Sequence, residues 1–566
     1  MYHLFSEGVK RTNGEDARRL NLFACKLISN LIKNSFGPGG KEKMFIDIMG
    51  EITLTKKGAT FLRKIDVEHP AAKILIEASN SVDNEVADGT TSVVLIAGGL
   101  MERADQLLER GISPVVISNG YIKGLEISLQ VLDEISEEST DFNVIELMRN
   151  LANTCLGTKI TSYSLNDQSN SLADLVIEAV YTLTNRFSKD FDDYDIKIEE
   201  KSGNMSDTQL IKGVVIDKTF DNHSINKKIE NAKILLIDDD LEPKRTKINA
   251  EIIGNSYNHM QGFLIAESEI VKEKIKNIIK SGANIVVSRK GISIGASYYL
   301  AKENILSIKR VKENDLLWLE KASGAKIVND IDKKDLSSFL GFAGEIYDKI
   351  VGDDRLIFFD ECKDPQSVTI LLRGNSKMVR DECHKSCLQA IGIIKDFIKK
   401  KRIVGGGGSC EAIVASKIRQ ISYTVNNKEQ IVLQKFAEAL EDIPIIIAKN
   451  SGMDIIDVQA ELRSKLKDIH KNKKINWYGI NADKRSVEKT FPNIIEPILV
   501  KEQVLKTAVE VTLLLLSVDD VLMAKQSMNT HTHDDGTVHS HEGGGKKHDH
   551  YFDKLGKKQR PIHHYY

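Results

Sequence analysis

The sequence predicts a multidomain α and α/β protein, with a helical domain assembled from both ends of the chain and an α/β domain inserted between them. Three observations lead there. At 566 residues the chain exceeds what one compact core supports, so two to four domains are expected. Helical periodicity dominates residues 15–140 and returns after residue 374, so the two ends resemble each other more than the middle. Between about residues 213 and 360, short β-branched runs such as "AKILLID", "ANIVVS" and "RLIFF" alternate with charged helical stretches such as "SEIVKEKIKNIIKSG".

Along the chain, "ARRLNLFACKLISNLIKNSF" places apolar residues three and four apart and stops at Gly37 and Pro38. "EITLT" at 51–55 alternates like a short strand, and "PAAKILIEASNSVDNEV" and "TSVVLIAGGLMERADQLLERG" return to helical period. The segment "DDDLEPKRTKINAEIIGNSYNHM" (238–260) is polar and lacks core-forming runs, so it reads as a projection. After "SVTILLRG", helices resume with "DECHKSCLQAIGIIKDFIKK" and "VGGGGSCEAIVASKIRQI" and continue to about Leu522. From about Met523 the composition turns to His531, His533, His539, His541, His548, His550, His563 and His564 between glycine and lysine runs. Such a tail is expected to bury too little apolar surface to fold.

Composition excludes several classes. A formal net charge of −2 with 28% charged residues gives no electrostatic reason for a nucleic-acid or membrane partner. "MYHLFSEGVKR" is neither a signal nor a transit sequence, and "VTLLLLSV" (511–518) is far short of about 20 apolar residues. The six cysteines include no C-x-x-C pair and read as reduced thiols of a cytoplasmic protein.

Chemistry concentrates at three glycine-marked breaks: "SFGPGGKEKM" (35–44), "EVADGTTSV" (85–93) and "IVGGGGSCE" (403–411). Glycine lets backbone N–H groups approach a ligand closely. A helix N-terminus adds unpaired N–H groups and about half a positive charge, which suits phosphate. Thr90, Thr91 and Ser92 would add hydroxyl donors. Asp88 would repel a bare triphosphate, yet fits if Mg²⁺ sits between, since that ion takes one or two carboxylates plus phosphate oxygens. Taken singly, each break also reads as an ordinary turn with an Asp, Thr or Ser cap. No Walker or dinucleotide pattern occurs.

In order and spacing, "SFGPGGKEKMFID", "EITLTKKGATFLRKIDVEHPAAKILIE", "EVADGTTSVV", "LIKGVVIDK", "SVTILLRG", "GGGGSCE" and "EPILVK" resemble the group II chaperonins, the thermosome and the TRiC/CCT complex, over residues 4–525. The resemblance implies an equatorial domain at 1–140 and 403–525 and an intermediate domain at 141–212 and 367–402. It implies an apical domain at 213–366 with a helical lid protrusion at about 238–260, leaving a disordered His-rich tail at 526–566. It also implies ATP and Mg²⁺ as cofactors, with Asp88 on the metal. Gly37, Gly89, Thr90, Thr91 and Ser92 would lie at the phosphates, Gly406 and Gly407 under the nucleotide, and Gly479 and Glu496 near the adenosine. The implied partners are paralogous subunits in a cytoplasmic double ring and non-native proteins such as actin and tubulin.

The sequence departs from that family where water would be activated. "TKKGAT" places Lys57 where the family carries an aspartate near the γ-phosphate, and "CHKSCLQAI" places Gln389 where it carries a second one. Ala87 replaces a glycine, Gly39 a lysine and Glu42 an aspartate. A positioned base contributes about 10²–10⁴ in rate and a preorganised charge roughly 10²–10³, so weak hydrolysis is expected. Lys57 is placed to hold the γ-phosphate, at about 4 kcal/mol for a close pair near a surface. The alternative function is a non-hydrolysing scaffold that fixes ring order and lid geometry. Cys383, His384 and Cys387 read as buried helix residues rather than metal ligands, and His69 as a helix-start residue before Pro70.

Overall fold

Helices from both ends of the chain share one core in this computed structural model. The structure describes residues 10–139, 143–157, 171–184, 191–221, 228–242, 257–332, 335–466, 475–523, 529–532 and 538–541. Helix α1 (Gly14–Lys33) turns Ala24, Cys25, Ile28 and Ile32 inward at three- and four-residue steps. After the hairpin β2 (Lys43–Ile46) and β3 (Ile52–Thr55) come α2 (Gly58–Lys64), α3 (Pro70–Glu85), α4 (Thr90–Glu109), α5 (Pro114–Ile135) and the short strand β4 (Glu137–Glu138). Helix α4 is buried all round from Val93 through Met101, so this stretch forms the centre of the layer. His69 caps α3 as its position suggested, its Nδ1 accepting the Ala71 N–H at 3.3 Å, with Pro70 at the first helical position.

A second core joins α6 (Val144–Leu156) and α7 (Leu172–Leu183) to the long helix that follows β13, introduced below. These helices cover a three-stranded sheet of β5 (Ile196–Ser202), β13 (Val368–Gly374) and β6 (Gln209–Ile211), in the order β5-β13-β6. Strand β13 is parallel to β5 and antiparallel to β6.

The β-branched runs of the middle build a six-stranded mixed sheet. Its strands are β7 (Val214–Ile216), β8 (Lys228–Ile237), β9 (Ile285–Ser288), β10 (Leu306–Ile308), β11 (Gly341–Val351) and β12 (Asp354–Asp360), ordered β10-β9-β8-β11-β12-β7. The parallel half β8-β9-β10 is fully buried at Leu235, Leu236, Val286, Val287 and Leu306, because α8 (Tyr257–Ser281), α9 (Ile294–Lys302) and α10 (Glu313–Ser323) cover it. Residues 243–256, the bulk of the expected lid protrusion, lie outside the described residues.

Beyond β13, helix α11 (Lys377–Lys400) starts on Ser376, whose hydroxyl accepts the Val379 N–H, and packs Cys383, Cys387, Ile391 and Ile394 into the second core. Both thiols are buried, and His384 bonds Glu200 of β5. The chain then returns to the first core through α12 (Ser409–Ser422), α13 (Lys428–Asn450), α14 (Ile455–Leu466) and α15 (Ile498–Ser517). Helix α15 buries Val500, Val504 and Ala508 in the core that α4 centres.

Residues 1–19 and 518–566 form a separate small unit. In it, β1 (Lys10–Asn13) pairs antiparallel with Asp520–Met523, Arg11 bonding Asp520 at 2.6 Å. The tail corrects one expectation. Asn529–Thr532 and Val538–His541 pair antiparallel, with His531 opposite His539, and Thr530, Thr532 and Val538 are β-branched residues that favour strand. The rest of 524–566 lies outside the described residues.

Candidate functional site

Loops at the starts of α4 and α12, the end of α1 and one side of α11 enclose a cavity of about 260 Å³. The first loop, Ser35 to Pro38, follows α1. Gly37 sits at φ +79°, in the left-handed region, and its carbonyl accepts the Gly40 N–H at 3.1 Å. Asn450, at the end of α13, holds this loop: its amide donates to Lys33 O at 2.9 Å and to Phe36 O at 2.8 Å.

The second loop carries Asp88 and opens α4. Gly89 is the N-cap at φ +90°, and a Cβ there would lie 2.4 Å from a methyl of Val504. Only glycine fits. With no side-chain cap, the first-turn N–H groups of α4 stand with the side chains of Thr90, Thr91 and Ser92 at the cavity wall. The Thr90 carbonyl accepts from Ser79 at 2.9 Å, which fixes the start of the helix. Asp88 Oδ1 accepts both the Gly89 N–H and the Gln389 amide, each at 2.8 Å.

The third loop precedes α12, where Gly407 (φ +65°) accepts the Ile480 N–H at 2.9 Å. Facing it, Lys501 is buried between Glu411 at 2.8 Å and Glu496 at 2.6 Å. Burial raises the Glu496 pKa above the usual carboxylate range, more than the Lys501 charge lowers it. Burial works against the Lys501 ammonium too, but the charges of Glu411 and Glu496 outweigh it and hold its pKa above the ordinary lysine value.

Gly37, Asp88, Gly89, Thr90, Thr91, Ser92, Gly407 and Glu496 therefore line one cavity. Gly406 and Gly479 do not line it. They stand behind its wall, Gly406 bonded to Ile494 O and Gly479 packed on Gly407 O and Ser409, where a Cβ would come within 2.9 Å of each. The sequence reading missed Lys56, Lys501 and the end of α6 (Asn153, Thr154 and Cys155), which also line the cavity. Lys501 carried a signal, since it is the one cation within the apolar run "PILVKEQVL"; the α6 residues arrive only through tertiary packing.

A sequence profile described as the TCP-1/cpn60 chaperonin family matches residues 28–526. The chain belongs to this chaperonin family. It is 38% identical over 526 residues to thermosome subunit beta of Saccharolobus solfataricus, covering 92% of this chain and 93% of that one. It is 38% identical over 526 residues to thermosome subunit alpha of Archaeoglobus fulgidus (92% and 94% covered), and 36% over 530 to thermosome subunit alpha of Aeropyrum pernix (92% and 93%). Thermosome relatives over this span make it a group II chaperonin subunit.

Charged residues of this chaperonin's cavity are held in ion pairs. Lys57 lines the cavity, but its ammonium is held by Asp83 Oδ1 at 2.5 Å, while Arg63 holds Asp83 Oδ2 at 2.8 Å. The reason is local. Lys57 caps α2, whose last turn brings Arg63 beside α3, and Asp83 on α3 collects both cations. Ala87, in place of a glycine, is accommodated by Gly392 on α11: a Cβ at 392 would lie 2.4 Å from the Ala87 Cβ. The Ala87 N–H donates to buried Asp396 at 3.1 Å, tying the Asp88 loop to α11 again. Among the described residues no cluster of three or more His, Cys, Asp or Glu could hold a metal. An ion at Asp88 would have to draw further oxygens from a bound ligand or water. No helix among the described residues is long and apolar enough to cross a membrane.

Proposed function

We propose that this chaperonin is a subunit of a hetero-oligomeric, cytoplasmic double ring of the TRiC/CCT type that binds ATP·Mg²⁺ and assists the folding of non-native proteins, actin and tubulin among them. Within that complex its stretches "VEHPAAK", "KASGAKIV", "RDECHKSC" and "INWYGI" resemble subunit alpha most, with subunit gamma next. The observation that carries the nucleotide reading is the α4 start: a glycine N-cap, uncapped N–H groups, three hydroxyl residues and one carboxylate at the wall of a single cavity. The fit is chemical. Those N–H and hydroxyl donors suit phosphate oxygens, and Asp88 suits Mg²⁺ only alongside them. Mg²⁺, when bound, would neutralise charge on the phosphates.

Weak hydrolysis follows from two side chains. Gln389 presents an amide to Asp88 and cannot serve as a base, and Lys57 is committed to Asp83. Single-turnover hydrolysis of radiolabelled ATP tests both points. Because Lys57→Asp would face Asp83, it is paired with Asp83→Asn and combined with Gln389→Asp. A rise of at least about tenfold over the unsubstituted chain is expected. Unchanged turnover overturns the assignment of the missing groups, and an unsubstituted chain that retains no nucleotide overturns the ATP reading itself.

A further inference from the structure

Helix α11 meets the Asp88 loop at three positions of one face. Gln389, Gly392 and Asp396 follow one another at steps of three and four residues, the spacing that stacks positions on one side of a helix. Gln389 donates its amide to Asp88 Oδ1, the bare Cα of Gly392 leaves space for the Ala87 Cβ, and Asp396 Oδ2 accepts the Ala87 N–H at 3.1 Å. Of the three, Asp396 has no part in the chemistry described above. Its residue is 3% exposed, and its other oxygen lies 3.5 Å from the Lys399 ammonium, three residues on along the helix.

Residues 86–89 join α3 to α4, and the bonds of their backbone N–H groups differ in reach. The Val86 N–H goes back to Val82 O of α3 at 2.9 Å, and the Gly89 N–H goes to the side chain of its neighbour Asp88 at 2.8 Å, so both are local. The Ala87 N–H crosses to a residue 309 positions away. Of these three bonds it is the one that fixes where the loop stands in the fold, and it acts on the residue just before Asp88. A carboxylate makes it a charge-assisted bond, stronger than a neutral acceptor would give. Gly392 makes the approach possible: a Cβ there would lie 2.4 Å from the Ala87 Cβ and hold α11 away from the loop.

We propose that Asp396 is a positioning residue for the Mg²⁺ carboxylate: by holding the Ala87 N–H from α11, it keeps Asp88 at the cavity wall in the geometry that an ion between carboxylate and phosphate requires. This rests on the nucleotide reading above and deepens it by naming the residue that presets the metal ligand. Mg²⁺ tolerates little departure from octahedral geometry, so a ligand already in place is worth more to it than to a looser ion. Groups that orient a metal ligand without touching the metal change metal affinity by about 10–100-fold when they are removed.

The test compares the full-length protein with its Asp396→Leu and Asp396→Asn variants. Leucine keeps the branched outline and removes the acceptor, and a cavity of about 300 Å³ bordering Ala87 and Asp396 lets the freed N–H meet water, so the fold should persist. Asparagine keeps an oxygen that can accept the N–H. Equilibrium ATP binding is measured with Mg²⁺ and with EDTA, and hydrogen exchange of the segment containing Ala87 is measured on ligand-free protein. Asp396→Leu is expected to weaken ATP binding by about tenfold with Mg²⁺ but by less than about twofold with EDTA, and to lose protection at Ala87. Asp396→Asn is expected to stay within about threefold of the unsubstituted protein in both and to keep that protection. Undiminished Mg²⁺-dependent binding by Asp396→Leu overturns the inference, and so does equal loss with Mg²⁺ and with EDTA, which marks Asp396 as a support for the cavity as a whole. An Asp396→Asn variant as weak as the leucine one overturns it too, since the charge and not the accepted N–H would then matter. Each of those results leaves the nucleotide reading intact, whereas an unsubstituted protein that binds no ATP removes both.

Discussion

Replacing Lys501 by methionine would remove the cation that two buried glutamates share while keeping much of its volume. Glu411 and Glu496 would then face each other across the space Lys501 filled, and Glu411 Oε2 has no hydrogen-bond partner among the described residues even with the lysine present. Removing one partner of a buried ion pair costs about 3–5 kcal/mol, and here two acids are stranded by one change. Protonation limits the loss, since each pKa unit is worth about 1.4 kcal/mol and a buried carboxyl escapes its charge by taking up a proton. The sign is then fixed. Burial already raises the Glu496 pKa and Lys501 is the charge that lowers it, so in the variant its folded-state value lies further above the unfolded one, and stability present at low pH is lost as pH rises through the folded value. The expected gap between variant and parent is about 3 kcal/mol or more at pH 7.5, narrowing toward pH 5. Denaturant unfolding followed by tryptophan fluorescence reads it, because Trp477 is buried in the same core as Lys501's helix. A gap under about 1 kcal/mol at pH 7.5, or one that stays constant to pH 5, refutes the reasoning. Adding Glu411→Gln and Glu496→Gln to the variant should recover most of the loss.

Other tests follow from the same geometry. Gly392→Ala should destabilise the chain by about 1–3 kcal/mol through collision with Ala87, and the double variant with Ala87→Gly should recover it, as read by unfolding midpoints. Gln389→Ala removes the amide from Asp88 Oδ1 and should tighten Mg²⁺ binding in the presence of nucleotide by roughly threefold to tenfold, measured by metal titration. Burial pushes the Cys25 and Cys362 thiols up to about 12, so native protein at pH 8 should resist iodoacetamide at both sites while unfolded protein is alkylated, as peptide mapping would show.

The helical layer was legible because its pattern is strong and local. Helices α1, α3 and α4 declare themselves by three- and four-residue spacing, and their ends by Gly37, Pro70 and Gly89. The β-branched runs likewise declare the six-stranded sheet, though not its order, which places β8 between β9 and β11. The loop segments that open α4 and α12 and follow α1 were legible in the cavity wall from glycine and hydroxyl residues. The fate of Lys57 was not, because its partner Asp83 sits near the far end of the next helix, α3, and no short-range sequence pattern marks the pair. The small hairpin of the tail was missed because composition outweighed the alternation of "NTHT" and "VHSH".

Asn450 and the carbonyl of Lys33 that its amide grips are 417 residues apart in the chain. At about 5–20 residues per second of synthesis, the loop after α1 leaves the ribosome roughly 20–80 seconds before the residue that anchors it. Through that interval the apolar faces of α1 and α4 have no α13 or α15 to cover them, so the nascent protein must itself be shielded from aggregation. A folding helper made this way is, during its own translation, a client in need of one.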